Sequence, residues 1–144
     1  MLEGKVALIT GAGQGVGQGI ALAMAAKGAS IAVTGRTLSK LEDTCALIKE
    51  RGGKAIAISG NVKDPVSLKN TVDETIKQFG TIDILVNNAS AINLTRTDAT
   101  PAKRFDLMFD VNVRGTFLTS QAALPHLRKS AADGRNPHIL NLSP

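Results

Sequence analysis

Residues Lys5 to Ala21, KVALITGAGQGVGQGIA, decide the fold. Val6, Ala7, Leu8 and Ile9 form an unbroken apolar run, the pattern of a strand buried on both faces of a parallel sheet. Glycines follow at once, at positions 11, 13, 15, 17 and 19. Glycine accepts positive φ and lets a ligand or a second backbone approach closely, so the turn can be tight and open to contact. A helix beginning near Gly15 would aim its free N–H groups and the positive end of its dipole at the space above that turn, which favours a phosphate. The bland alternative is a glycine-rich strand-to-helix turn that holds no ligand.

The spacing is specific. The dinucleotide fingerprint G-x-G-x-x-G does not fit, because its third glycine would fall on Val16, Gln18 or Ile20. The pattern T-G-x-x-x-G-x-G does fit, as Thr10, Gly11, Gly15 and Gly17. The octapeptide Thr10 to Gly17 resembles the cofactor-binding turn of the short-chain dehydrogenase/reductase family. That resemblance implies a Rossmann-type fold and a nicotinamide dinucleotide, with Thr10, Gly11, Gln14, Gly15, Val16 and Gly17 at the cofactor.

Outward from this turn, strand-like and helix-like stretches alternate, which argues for right-handed βαβ crossovers and a parallel sheet. Val16, Ile20 and Met24, spaced by four, predict the buried face of the first helix, which should stop at Gly28. Ser30 to Thr34 reads as the second strand. Ser39 and Glu42 form a capping-box pattern for a helix whose Leu38, Leu41, Cys45 and Ile48 share a face before Gly52-Gly53. Residues 54 to 60 read as a third strand. Asp64 then predicts an N-cap with Pro65 in the first turn, and Leu68, Val72, Ile76 and Phe79 a buried stripe ended by Gly80.

Ile82 to Val86 reads as the fourth strand, and 87 to 99 as a loop. Thr100-Pro101 should open a long helix bearing Phe105, Met108, Phe109, Val113 and Phe117, kinked or ended near Pro125. Residues Arg128 to Pro137 read as a polar surface loop, and His138 to Leu142 as the fifth strand. The expected architecture is an α/β doubly wound parallel sheet of order 3-2-1-4-5, with the ligand at the carboxyl ends of the strands.

Composition narrows the function classes. The chain has 144 residues, of which 43% are apolar, enough for one domain with a substantial core. No apolar run approaches the about 20 residues that span a bilayer, so no membrane span is expected. A strand starting near residue 5 leaves no room for a leader, which sets an intracellular, cytoplasmic location as the default and leaves peroxisome and mitochondrion open. The single cysteine, Cys45, has no partner for a disulfide and no neighbour at metal-ligand spacing, so no metal is expected. The formal charge is +5, but the charges are scattered, Trp and Tyr are absent and Phe occurs only four times. Nucleic acid is therefore not expected as a partner.

Further residues carry chemistry. The second strand ends at Val33-Thr34-Gly35-Arg36, where a Rossmann fold meets the adenosine ribose. An NAD site tends to place a carboxylate there, whereas a 2′-phosphate wants space and a guanidinium. Arg36 therefore favours NADP over NAD; its alternative is a solvated loop arginine. The resemblance adds Asn61 and Val62 as the pair that holds the adenine, and Asn88 and Ala89 of Asn87-Asn88-Ala89-Ser90 as cofactor residues, with Ser90 in place of the family's glycine. It also maps the catalytic asparagine onto Asn112 within Asp110 to Phe117. The family's catalytic serine aligns with Pro144, which leaves Ser143 a substitute one residue early. The stretches Asn88 to Ile92, Thr100 to Met108 and His138 to Pro144 narrow the resemblance to one subgroup.

In the family, hydride moves between nicotinamide and a small carbonyl or alcohol substrate, and a Tyr-x-x-x-Lys after the fifth strand handles the proton. This sequence contains no tyrosine. The resemblance thus implies that residues 1–144 are a single dinucleotide-binding domain, incomplete on its C-terminal side. It also implies a homo-oligomer when intact, with an exposed strand edge near 138–142 and an apolar patch on the long helix. Two other readings remain open: a non-catalytic dinucleotide-binding or interaction module, and a structural or nucleic-acid-binding protein on the same fold.

Overall fold

The computed structural model describes residues Met1–Pro144. Five parallel strands, β1 (Val6–Thr10), β2 (Ser30–Gly35), β3 (Lys54–Ser59), β4 (Ile84–Asn87) and β5 (His138–Asn141), lie in the order β3-β2-β1-β4-β5. This is the doubly wound order expected, and it puts the reversal point between β1 and β4. Helices α1 (Gly15–Ala26), α2 (Leu38–Glu50), α3 (Pro65–Phe79), α4 (Ala102–Phe109) and α5 (Gly115–Ala132) make the crossovers.

All five residues of β1 are buried, and alternate side chains feed two separate cores. Ala7 and Ile9 join Ile31, Val33 and Val86 under Ala21 of α1 and Leu41, Cys45 and Ile48 of α2. Leu8 joins Ala32, Ile58 and Leu85 under Val72 of α3 and Ala123 and Leu127 of α5. An apolar run with no polar alternation is thus what a central strand covered on both faces requires. Burial pushes the Cys45 thiol pKa up, consistent with a small apolar core residue.

Several expectations are corrected. Val16 is 64% exposed, because the first turn of α1 overhangs the end of the sheet and has no strand beneath it; Gly17 and Ala21 form the buried face, with Ile20 and Met24 partly covered. Helix α2 begins at Leu38 with Thr37 as N-cap and no side-chain cap, so Ser39 and Glu42 lie inside it and form no capping box. Leu38 is correspondingly exposed, and Thr44 takes its place on the buried face. The third strand stops at Ser59, and the fourth starts two residues later than expected, at Ile84. By contrast, Asp64 does cap α3, accepting from Val66 N at 3.0 Å.

The long helix is also not uniform. Between α4 and α5 lies a π-helical turn, Asp110–Arg114, in which Gly115 N bonds Asp110 O. Pro125 does not end α5, which continues to Ala132. The carbonyl that Pro125 leaves unbonded is that of Gln121, an exposed residue, so water can replace the missing N–H. Phe105, Phe109, Val113 and Phe117 all face outward, with the Phe105 and Phe109 rings stacked at 4.6 Å. This is the apolar patch expected on that helix, and β5, at the sheet edge, has all four residues exposed.

Helix α5 occupies the first half of the supposed loop 128–137, and the remainder closes the amino end of the sheet. Asp83 is fully buried there. Its carboxylate accepts from Val6 N (2.8 Å), Ser130 Oγ (2.7 Å), Arg135 Nε (2.8 Å) and Arg135 Nη2 (2.9 Å). Lys5 Nζ donates to Arg135 O, and Arg135 Nη2 also donates to Gly4 O. Burial pulls the Asp83 pKa upward, but the hydrogen bonds from Arg135, Ser130 and Val6 N outweigh it and hold the carboxyl at about 2. One charge pair thereby ties β1, β4, α5 and the approach to β5 together.

Candidate functional site

At the carboxyl ends of the strands, a cleft of about 550 Å³ opens at the reversal point of the sheet. Its floor is the glycine turn, which is packed backbone to backbone. Gly11 has φ +63°, and a Cβ there would lie 2.9 Å from Ala89 Cα. A Cβ on Gly17 would overlap Gly11 O and Asn88 Nδ2. Helix α1 therefore starts hard against β1 and the end of β4, a closeness only glycine permits. Gln14 is its N-cap, no side chain caps the first turn, and Gly15 and Val16 of that turn line the cleft.

Thr10 and Asn88 build this floor. Thr10 Oγ1 accepts from Asn88 N at 3.0 Å and Ala89 N at 2.9 Å, and Asn88 Nδ2 donates to Thr10 O at 3.1 Å and Gly11 O at 3.0 Å. The neighbouring Asn87 Nδ2 donates to Ser120 Oγ and, at 2.8 Å, to Asn141 Oδ1, fastening β4 to α5 and β5. Paired amides at a strand end thus serve the backbone on both sides. Ser90 sits here without strain, since it does not have the positive φ that would demand a glycine.

Of the residues expected at a cofactor, Gly11, Gln14, Gly15, Val16, Arg36, Asn61, Val62, Asn88 and Ala89 line the cleft. Thr10 and Gly17 lie beneath it and hold its shape. Arg36 stands at the rim after β2. Asn61 Oδ1 accepts from Lys63 N at 3.0 Å, and Asn61 N donates to Ser67 Oγ at 2.8 Å, so the loop after β3 is a locally closed turn. Val62 is wedged against the start of α5, where a Cβ on Gly115 would come within 2.8 Å of it, and Arg114 Nη1 donates to Lys63 O at 2.8 Å.

Sequence reasoning missed two cations. Lys40, in the first turn of α2, and Lys63 line the cleft with Arg36, and no Asp or Glu lines it anywhere. Lys40 Nζ donates to Gln14 Oε1 at 2.8 Å. The signal available in the sequence was Lys40 standing four residues after Arg36, which means little until α2 is known to dock on the glycine turn.

Asn112 lies outside the cleft, half-buried in the π-helical turn rather than facing solvent. Its Oδ1 accepts from Ala91 N at 2.9 Å and its Nδ2 donates to Ala91 O at 2.7 Å, so both ends of the amide hold the loop after β4. That contact is the reason for a poor helix former in mid-helix. Ser143 lines the cleft, and its hydroxyl is exposed.

A family model described as short chain dehydrogenase matches residues 5–143. The chain is 47% identical to hydroxysteroid dehydrogenase-like protein 2 of Danio rerio and 45% identical to that of Homo sapiens, in each case over 99% of this chain and 35% of the relative. Among solved structures, a short chain dehydrogenase from Mycobacterium thermoresistibile superposes with a TM-score of 0.92 at 42% identity, over all of this chain and 52% of that one. The 3-ketoacyl-(acyl-carrier-protein) reductase of Brucella melitensis, complexed with NADH, gives 0.91 at 33% identity, over 98% and 57%. The chain belongs to the short-chain dehydrogenase/reductase family, whose members use NAD or NADP. It spans about a third of the length of the curated relatives it matches, and these relatives are the subgroup to which the stretches near Asn88, Thr100 and His138 point.

Proposed function

We propose that this chain is the cofactor-binding half of an NADP-dependent short-chain oxidoreductase acting on a small carbonyl or alcohol substrate. The observation that carries the cofactor reading is the cleft's charge: the side chains of Arg36, Lys40 and Lys63 line it and no Asp or Glu side chain does. A carboxylate at the end of β2 would suit the ribose hydroxyls of NAD and repel a 2′-phosphate. Arg36 instead offers a guanidinium fork. The residues present fit a dinucleotide. Gly11 and Gly17 let α1 start hard against β1 and the end of β4. Gly15, at φ +57° with open space beside it, puts the first turn of α1 on the cleft, where helix N–H groups suit a pyrophosphate.

In this reading Gly15 and Val16 with their neighbours hold the pyrophosphate, Arg36 the 2′-phosphate, and Asn61 and Val62 the adenine. Thr10, Gly17 and Asn88 keep the turn in shape. The nicotinamide, when bound, supplies or accepts hydride. Asn112 orders the loop at Ala91, and Ser143 stands at the cleft near the position of the family's catalytic serine. With no tyrosine in the sequence, the proton-transferring Tyr and its Lys come from outside residues 1–144, and this chain alone is inactive. The intact protein assembles as a homo-oligomer. A non-catalytic dinucleotide-binding module is the second reading, favoured by the same lack of tyrosine.

Fluorescence titration with NADPH and NADH tests the proposal. The expected result is binding of NADPH roughly tenfold tighter than NADH, reduced to parity by Arg36→Ala. Equal or tighter binding of NADH would overturn the cofactor assignment. Reading the coding sequence beyond Pro144 separates the two readings: an in-frame Tyr-x-x-x-Lys supports the oxidoreductase, and a stop codon the module.

A further inference from the structure

The loops after β3 and β4 both line the cleft, although β2 and β1 lie between those strands in the sheet. The π-helical turn Asp110–Arg114 reaches both. Arg114 Nη1 donates to Lys63 O, after β3, at 2.8 Å, and Asn112 commits both ends of its amide to Ala91, after β4, at 2.9 and 2.7 Å. Residues two apart do not share a face of a helix, so one short turn can hold a different loop with each.

Both grips close on ordered backbone. In the loop after β3, Lys63 N donates to Asn61 Oδ1, Asp64 N to Asn61 O and Asn61 N to Ser67 Oγ, so this tight turn is displaced as a unit. It meets the helix a second time where Val62 packs on Gly115, at which a Cβ would lie 2.8 Å from Val62 Cγ2. The loop after β4 is pinned at its start, with Asn88 N and Ala89 N on Thr10 Oγ1, and Asn112 pins it again at Ala91.

The turn between the two grips has an alternative register. Gly115 N bonds Asp110 O, five residues back, and Thr116 Oγ1 donates to Asn112 O at 3.0 Å. A π turn is a short interruption of an α-helix, and α4 and α5 flank this one directly. Closing it to α-helical spacing would rotate one flank against the other by about 100°, one residue's share of a turn. Arg114 and Asn112 would then leave Lys63 and Ala91 together. Each grip therefore favours the wide turn, and with it the other grip.

We infer that Arg114 is a positioning residue that couples the base end of the cleft to the loop at Ala91, with the π turn as the element between them. The inference rests on the dinucleotide reading proposed above for what fills the cleft. A base seated on Asn61 and Val62 braces Lys63 O against Arg114, which holds the turn wide and keeps Asn112 on Ala91. The loop after β4 is thereby ordered from the far end of the cleft, before anything occupies its own end.

Hydrogen exchange of single amides, read by NMR on the 144-residue chain, tests this, because Ala91 N–H is bonded to Asn112 and not to Arg114. Arg114→Ala should speed exchange at Ala91 roughly tenfold, well beyond any change at Leu8 and Ile9 of β1. Arg114→Lys, which keeps a donor for Lys63 O, should stay close to the wild type. Saturating 5′-AMP, which has a base and no nicotinamide, should slow Ala91 severalfold in the wild type and not in Arg114→Ala. An Ala91 rate that Arg114→Ala leaves unchanged overturns the inference, and so does a rise no greater than that in β1, which would make Arg114 a general support of the fold. Equal slowing by 5′-AMP in the wild type and Arg114→Ala overturns it too. If the wild type does not bind 5′-AMP, the dinucleotide reading falls, and exchange in the free chain still decides whether Arg114 holds Ala91 through the turn.

Discussion

The two ends of one parallel sheet treat charge in opposite ways. At the amino end, Asp83 is buried and fully satisfied, with five hydrogen bonds on its carboxylate, two of them from the Arg135 guanidinium, and its pKa sits at about 2. At the carboxyl end, Arg36, Lys40 and Lys63 line a cleft without an Asp or Glu side chain, and no side chain caps the first turn of α1. The amino end is closed within the protein. The carboxyl end leaves its donors and positive charge open for an anion. Stability and binding are thus assigned to opposite ends of the same strands, about 17 Å apart for five residues of strand.

The comparison breaks most visibly at Asp83. Replacing it by Asn removes the buried charge that Arg135 answers, and Arg135, about one-third exposed, can rehydrate only in part. The expected cost is about 3 kcal/mol, a fall in melting temperature of roughly 10 °C, with ligand affinity unchanged at temperatures where the chain stays folded. At the other end, Gly17→Ala drives a methyl into Gly11 O and Asn88 Nδ2. It should cost about 2 kcal/mol in urea titration, and unlike the Asp83 change it should also abolish dinucleotide binding, because the floor must shift.

Acid sharpens the contrast. The folded pKa of Asp83 is depressed below the ordinary carboxylate value of 3.8, so its contribution is fully present above about pH 5 and is lost as pH falls through 3.8 towards 2. Stability measured by denaturant at stepped pH should drop by about 2 kcal/mol over that window, and Asp83→Asn should flatten much of the slope. The smallest effect is expected at Lys69–Asp73, an exposed i, i+4 pair on α3. Asp73→Asn should change stability by less than about 0.5 kcal/mol, which makes it the control for the buried pair.

What could be read from the sequence follows from how local each feature is. The order of the sheet was legible because the apolar run of β1, the glycine turn and the alternating elements are contiguous signals. The cap of α3 was legible for the same reason, with Asp64 and Pro65 adjacent to the helix they start. The start of α2 was not, since docking of Leu41 and Thr44 on the sheet and the glycine turn overrides the Ser39–Glu42 pattern. Val16 fell on the wrong side because periodicity describes a helix and cannot say where the sheet beneath it ends. Lys40 meets Gln14 across 26 residues, and Arg135 meets Asp83 across 52, so neither pairing leaves a trace in any local window. Asp83 falls inside the strand expected over Ile82 to Val86, and only its partners explain a buried carboxylate there.

The direct measurement is an amide-resolved NMR titration of the 144-residue chain with NADP⁺. Shifts confined to Gly11–Gly17, Arg36–Lys40, Asn61–Lys63 and Asn88–Ala91, with Val6, Asp83 and Arg135 unmoved, are the predicted result. Shifts centred on the exposed face of α4 and α5, or none at millimolar ligand, would contradict the assignment of binding to the carboxyl end of the sheet.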